Sequence, residues 1–98
     1  MYIVRDIFHL RYGAYKEARA LLDEAYGKGI LPEAKSSRIL SDFTGDAYRL
    51  VFEEGYDTLM EYEKALGESM GKASWKKWYE KFRQHVNSSH REILKQVM

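Results

Sequence analysis

The residues best suited to chemistry fall in a few strand-like stretches. The chain has three histidines, His9, His85 and His90, and no cysteine. Arg5, His9, Arg49, Glu53, His90 and Glu92 would form a ligand-binding group if their strands were neighbours. In that group His9 would act as general base, while Arg5 or Arg49 held a substrate carboxylate or enolate. The same charges could instead form cross-strand ion pairs that fix register, each contributing roughly 0.2–1 kcal/mol. His9 and His90 with Glu53 or Glu92 would be the nearest thing to a metal site. No pair has dedicated metal-helix spacing and no third ligand is evident, so no metal is expected. His85, near the C-terminus of a helix, would favour the helix dipole. Its other use, as an axial haem ligand, has no further haem signature beside it, and no cofactor is expected.

A second group is aromatic. Trp75, Trp78, Tyr79 and Phe82 form either the packing face of a helix or the wall of a ligand site. Tryptophan there could also anchor the rim of a partner subunit. Lys76, Lys77, Lys81 and Arg83 beside them would suit a stacking platform for nucleic acid, but the lysines fall off the aromatic stripe, as a solvated face does. The glycine-flanked segment GESMGKA, residues 67–73, reads as a lid; it lacks the Gly-x-x-x-x-Gly-Lys-Ser/Thr pattern and the preceding strand of a phosphate loop. No nucleophile elbow or dinucleotide fingerprint is present.

The elements that position these residues come from a short chain. Ninety-eight residues make one domain, 1–98, whose core is modest unless a partner adds to it. A composition of 45% hydrophobic and 32% charged residues is globular, and 14% aromatic is rich. The lack of cysteine excludes disulfides, thiolate metal sites and a cysteine nucleophile, and it fits a reducing cytosol, so a cytoplasmic location is expected. No apolar run approaches the roughly 20 residues that span a bilayer. MYIVRDIF has no basic segment ahead of its apolar stretch, so neither a secretory leader nor a membrane partner is expected. The net charge of +1 gives no reason to seek nucleic acid. Glu53 to Glu68 holds six acidic residues and one lysine, and Lys72 to Met98 seven basic and two acidic ones. Two helices with complementary solvated faces explain that asymmetry better than a phosphate-tracking surface, and no nucleic-acid partner is expected.

Residues 2–11 alternate as a strand does. Tyr2, Val4, Phe8 and Leu10 share one face, with Asp6 the exception; Ile3, Arg5, Ile7, His9 and Arg11 share the other. Gly13 ends the strand. Residues 14–27 take helical spacing, with Ala14, Ala18, Leu21, Leu22 and Ala25 on one stripe, and Gly27, Gly29 and Pro32 mark the exit. A second strand covers 36–43. Gly45-Asp46 fits the centre of a type II′ hairpin, and a third strand runs from Ala47 to Glu54. Thr58 to Glu61 is a capping box opening a helix with Leu59, Tyr62, Ala65 and Leu66. Gly67 to Gly71 reads as a break. A third helix spans about Ser74 to Val86, and HREILKQV, residues 90–97, is the last strand. The order β-α-β-β-α-α-β with right-handed crossovers gives a four-stranded antiparallel sheet of order 4-1-3-2.

Helices cover one face of such a sheet. The other face carries Ile3, Ile7 and Val51 among Arg5, His9, Arg49 and Glu53, which is neither uniformly polar nor uniformly apolar. A second copy related by a two-fold axis is the simplest cover, and two facing sheets would enclose a barrel with the charges inside. If Ile93 and Val97 face the helices, His90, Glu92, Leu94 and Gln96 face that gap; one residue of slip would present Arg91 and Lys95 instead.

Three stretches together, FHLRYG, FEEGYDTLMEYE and WKKWYEKFRQHVNSSHREILKQV, resemble small NIPSNAP-like proteins of the dimeric α+β barrel superfamily. The resemblance covers nearly the whole chain and rests on Phe8, His9 and Gly13, on Trp75 and Trp78, and on Arg91, Glu92 and Ile93. It implies an α+β, ferredoxin-like subunit and a homodimer through the open sheet face, with a cavity between the sheets. The family's first turn often reads Pro-Gly-Lys; here it is Tyr12-Gly13-Ala14, so no anion-binding role is carried over. The resemblance assigns no activity. The expectation is a homodimeric barrel that binds a small partly apolar or anionic molecule. The alternatives are a cofactor-free monooxygenase or isomerase using His9 with Arg5 or Arg49, and a structural dimer with a filled interior.

Overall fold

The computed structural model describes residues 1–45 and 48–98. The elements follow in the order β1 (Tyr2–Leu10), α1 (Tyr15–Gly27), β2 (Ser36–Ser41), β3 (Arg49–Tyr56), α2 (Leu59–Met70), α3 (Ala73–Phe82), a 3₁₀ turn (Arg83–His85) and β4 (Val86–Lys95). The sheet is antiparallel with strand order β2-β3-β1-β4, which is the expected 4-1-3-2 read from its other edge. The fold is α+β and ferredoxin-like.

Alternation along the strands decides what the helices cover. Leu10, Leu50 and Phe52 point to the helices and join Ala18, Leu22 and Ala25 of α1 and Trp78 and Phe82 of α3 in one core. Phe8 meets Phe82 edge-on at 4.9 Å between ring centres. Val4, Tyr56 and Tyr62 make a smaller core under α2. The Trp78 indole Nε1–H donates to the Leu21 carbonyl at 2.7 Å, tying α3 to α1. Gly13 and Gly29 hold φ values of +83° and +66°, conformations that exclude most side chains without strain. At the start of α2 the Thr58 hydroxyl accepts from the Glu61 amide at 3.1 Å.

Several boundaries differ from the expected ones. α2 runs through Gly67 to Met70, so the segment read as a break and lid is mostly helix. Ser69 is buried there and its hydroxyl donates to the Ile30 carbonyl, so packing outweighs the glycine's helix penalty of about 1 kcal/mol. α3 stops at Phe82, and β4 begins at Val86, four residues before His90. The polar run Asn87-Ser88-Ser89 hides this strand, because an edge strand exposed along most of its length needs no apolar alternation. β3 starts at Arg49 and not at Ala47, since Tyr48 has φ of +64°, outside the strand region. Asp46 and Ala47, on which the expected hairpin centre and strand start fall, lie outside the described residues. No helix among the described residues is long and apolar enough to cross a membrane.

Candidate functional site

The open face of the sheet is a layer of paired charges. β1 sets Arg5 opposite Glu53 of β3 on one side and Glu92 of β4 on the other. Arg5 donates from Nε and Nη2 to Glu53 Oε2 at 3.1 and 3.0 Å, and its Nη1 lies 3.7 Å from Glu92. Arg38 of β2 donates from Nε to Glu53 Oε1 at 2.7 Å. Glu53 is only 5% exposed even without a cover on this face. Burial pushes its carboxyl up, but the hydrogen bonds from Arg38 and Arg5 prevail and hold it below the ordinary carboxylate range. Arg49 turns to the end of β2, where its backbone N–H and its Nε donate to Asp42, each at 2.9 Å. His9 and His90 stack at 5.6 Å between ring centres. β4 therefore has the register that puts His90 and Glu92 on the open face and Arg91 among the helices. Arg5, Glu53 and Glu92 come together, as do His9 and His90, while Arg49 is drawn toward Asp42.

The helix side holds a second polar group. Asp6 faces Arg91 across β1 and β4, and Arg91 Nε donates to Asp6 Oδ1 at 2.5 Å. The Arg91 guanidinium lies over the Tyr62 ring, 5.7 Å from its centre. Burial alone would lower the Arg91 pKa, but Asp6 raises it above the ordinary arginine value. Glu54, 2% exposed, accepts a hydrogen bond from Tyr56 Oη at 2.8 Å. Burial dominates here and pushes the Glu54 carboxyl up to about 7; the Tyr56 hydroxyl and Arg91 oppose that shift and Asp6 adds to it. The Tyr56 hydroxyl is pushed well up, first by burial and then by Glu54, so it stays a donor. Tyr62 is also raised by burial, and its hydroxyl is sealed from solvent with no hydrogen-bond partner of good geometry among the described residues.

These groups border a cleft of about 430 Å³ between the sheet and the helices. Phe8, Phe52 and Phe82, the indoles of Trp75 and Trp78, and Leu66 and Met70 supply apolar walls, while Asp6, Glu54, Ser89, His90 and Arg91 supply polar lining. Trp75 and Tyr79 stack at 4.8 Å with a 9° interplanar angle, and Trp78 stacks on Phe82 at 4.9 Å. The arrangement can receive a flat, largely apolar molecule and offer it one carboxyl that changes charge near neutrality. The sequence pattern passed over Glu54 and Tyr56 as site residues and offered Arg91 only in the slipped register, on the open face. The signal was present, because Glu54 continues the inward series Leu50, Phe52, and Asp6 interrupts an otherwise apolar face. Among the described residues no three of His, Asp and Glu are grouped to hold a metal ion.

The fold and both surfaces define a class, the small ferredoxin-like α+β proteins, and solved structures narrow it. The chain is similar to an uncharacterized NIPSNAP domain protein from Burkholderia xenovorans, with 13% identity over 99% of this chain and 95% of that one and a TM-score of 0.85. It is similar to a NIPSNAP family protein from Agrobacterium tumefaciens, with 21% identity over 97% and 92% of the two chains and a TM-score of 0.81. It also matches a putative antibiotic biosynthesis monooxygenase from Nitrosomonas europaea, with 15% identity over the full length of both chains and a TM-score of 0.77. At these identities the likeness is one of fold, and the fold is NIPSNAP-like. No protein-family model and no curated protein sequence matches the chain significantly.

Proposed function

We propose that the protein is a homodimer closed through its open sheet face and that each copy binds a small, flat, partly apolar molecule. One observation carries the binding reading: an aromatic-walled cleft of about 430 Å³ has a buried carboxyl, Glu54, in its lining. That volume suits a molecule of two or three fused rings. With Glu54 protonated, Asp6 and Arg91 balance, so the cleft favours an uncharged molecule over an anion. The putative monooxygenase name of one structural neighbour supports chemistry on small molecules in this fold.

The dimer reading rests on self-complementarity. Arg5 and Arg38 against Glu53 and Glu92 leave the open face near charge balance, and Leu40 and Leu94 stand 42% and 43% exposed beside them. Two such faces bring apolar and paired charged groups together without an unpaired buried charge. A second reading, with the ligand between the sheets near Arg5, His9, Arg49, Glu53, His90 and Glu92, is favoured by the His9–His90 stack, whose rings carry exchangeable protons.

The test uses 2-tetralone, a flat bicyclic ketone, and the emission of Trp75 and Trp78. Saturable quenching that disappears in Leu66→Trp, which fills the cleft, is the expected result. Quenching that never saturates, or that Leu66→Trp leaves unchanged, would overturn the helix-side site.

A further inference from the structure

Glu54 is placed as a proton-exchanging residue would be. It is nearly sealed, it lines the cleft, and Tyr56 Oη occupies one carboxyl oxygen, Oε2. Among the described residues no other hydrogen bond reaches that carboxyl. The remaining oxygen, Oε1, is not among the buried atoms left without a partner, so it is open to the cleft, where water or a bound molecule reaches it. Phe52, Trp78 and Leu66 line the same cleft and offer a bound molecule apolar contact.

We infer that Glu54 takes a proton from carbon next to the carbonyl of a flat, uncharged ketone bound in this cleft, and that Arg91 faces the enolate oxygen that results. The inference rests on the helix-side reading above. In the step, the C–H bond breaks, its electron pair becomes the enolate, and the proton forms an O–H bond on Glu54. The negative charge moves from carboxylate to enolate, so the total charge of the cleft is unchanged, and Arg91, which also pairs with Asp6, faces that charge in both states. When the Glu54 O–H exchanges with solvent before the enolate is reprotonated, the same carbon takes up a solvent proton, which is the exchange. Return of the proton to a conjugated carbon gives an isomer, and neither outcome needs a co-reactant. Asp6 from β1, Tyr56 from β3, Tyr62 from α2 and Arg91 from β4 are the charged and titratable groups around Glu54.

The experiment follows loss of the α-proton signals of 2-tetralone in D₂O by NMR, beside the quenching titration. With the wild-type protein, exchange is expected about a hundredfold faster than in buffer, within the range of general-base catalysis. It should rise with pH through about 7 as Glu54 ionises. Glu54→Gln should return exchange to the buffer rate while 2-tetralone still quenches saturably, which shows that the variant is folded and loaded. Tyr56→Phe should move the midpoint of the pH profile upward, because the lost hydroxyl favoured the ionised carboxyl. Saturable quenching with wild-type exchange at the buffer rate would overturn the proton role and leave the binding site standing. Unchanged exchange in Glu54→Gln would do the same. Absence of quenching would overturn the binding site and the proton role together.

Discussion

The Tyr56 hydroxyl donates to Glu54 two residues earlier on the same strand, and both side chains are buried on the helix side of the sheet. A carboxyl so placed is costly when ionised, and its effect on stability has a definite sign. The folded pKa lies near 7, above the ordinary 4.5. Between those values the folded chain holds a proton that the unfolded chain has lost, so stability falls as pH rises from about 4.5 to 7 and levels beyond. The full swing is of order 3 kcal/mol. Urea unfolding at pH 5 and pH 8 is expected to show Glu54→Gln gaining stability relative to wild type at pH 8 but not at pH 5.

Glu53 behaves in the opposite sense. Arg38 and Arg5 depress its pKa, so its contribution is present above the ordinary carboxylate value and is lost as pH falls through the lowered one. Glu53→Gln leaves two guanidinium groups without their shared partner. With Arg5 36% and Arg38 69% exposed, solvent screens part of that loss, and a cost of about 1–2 kcal/mol at pH 7 is expected in denaturant unfolding.

A side chain at Gly55 would press on the ends of two neighbouring side chains. A Cβ there would lie 2.4 Å from Ser36 Oγ and 2.9 Å from Met1 Sδ. Both obstacles are side-chain ends that can turn away, so Gly55→Ala is expected to lower stability by about 1 kcal/mol, the low end of the overpacking range. Removing the nearest obstacle with Ser36→Ala in the same chain should recover part of it, which a double-mutant cycle of unfolding free energies would measure.

The assembly can be weighed directly. One chain has a mass of 11.6 kDa, and light scattering at micromolar concentration should return twice that. Ile7 lies at the centre of the open face, opposite Val51 and His90. Ile7→Asp places an unpaired charge there and is expected to give the single-chain mass.

The sheet was legible because its signals are local and regular. Alternation along residues 2–11 and the two crossover units leave one sensible strand order, and the structure has it. The facing of β4 stayed open in the pattern, between His90 with Glu92 and Arg91 with Lys95, and only the pairing of Ile93 with the buried Val4 decides it. Less was legible where tertiary packing overrules local preference. Gly67 looked like a stop, yet α2 continues because Ser69 is anchored to Ile30. The polar start of β4 was hidden because its ladder to β1, and not its side chains, holds it in place. For the site, the pattern exposed Arg5, His9, Arg49, Glu53, His90 and Glu92 as a set that shares one face. It could not show that Arg5, Arg38 and Glu53 satisfy one another, nor that Glu54 and Arg91 converge from separate strands beneath the aromatic side of α3. Both depend on side-chain reach across strands far apart in the chain.

The two placements of a bound molecule differ in which rings it touches, and NMR separates them in one titration. With 2-tetralone added to the labelled protein, the indole N–H signals of Trp75 and Trp78 should shift progressively while the imidazole signals of His9, which does not line the cleft, stay still. A shift of His9 with both indoles unmoved would place the molecule between the sheets and contradict the helix-side site.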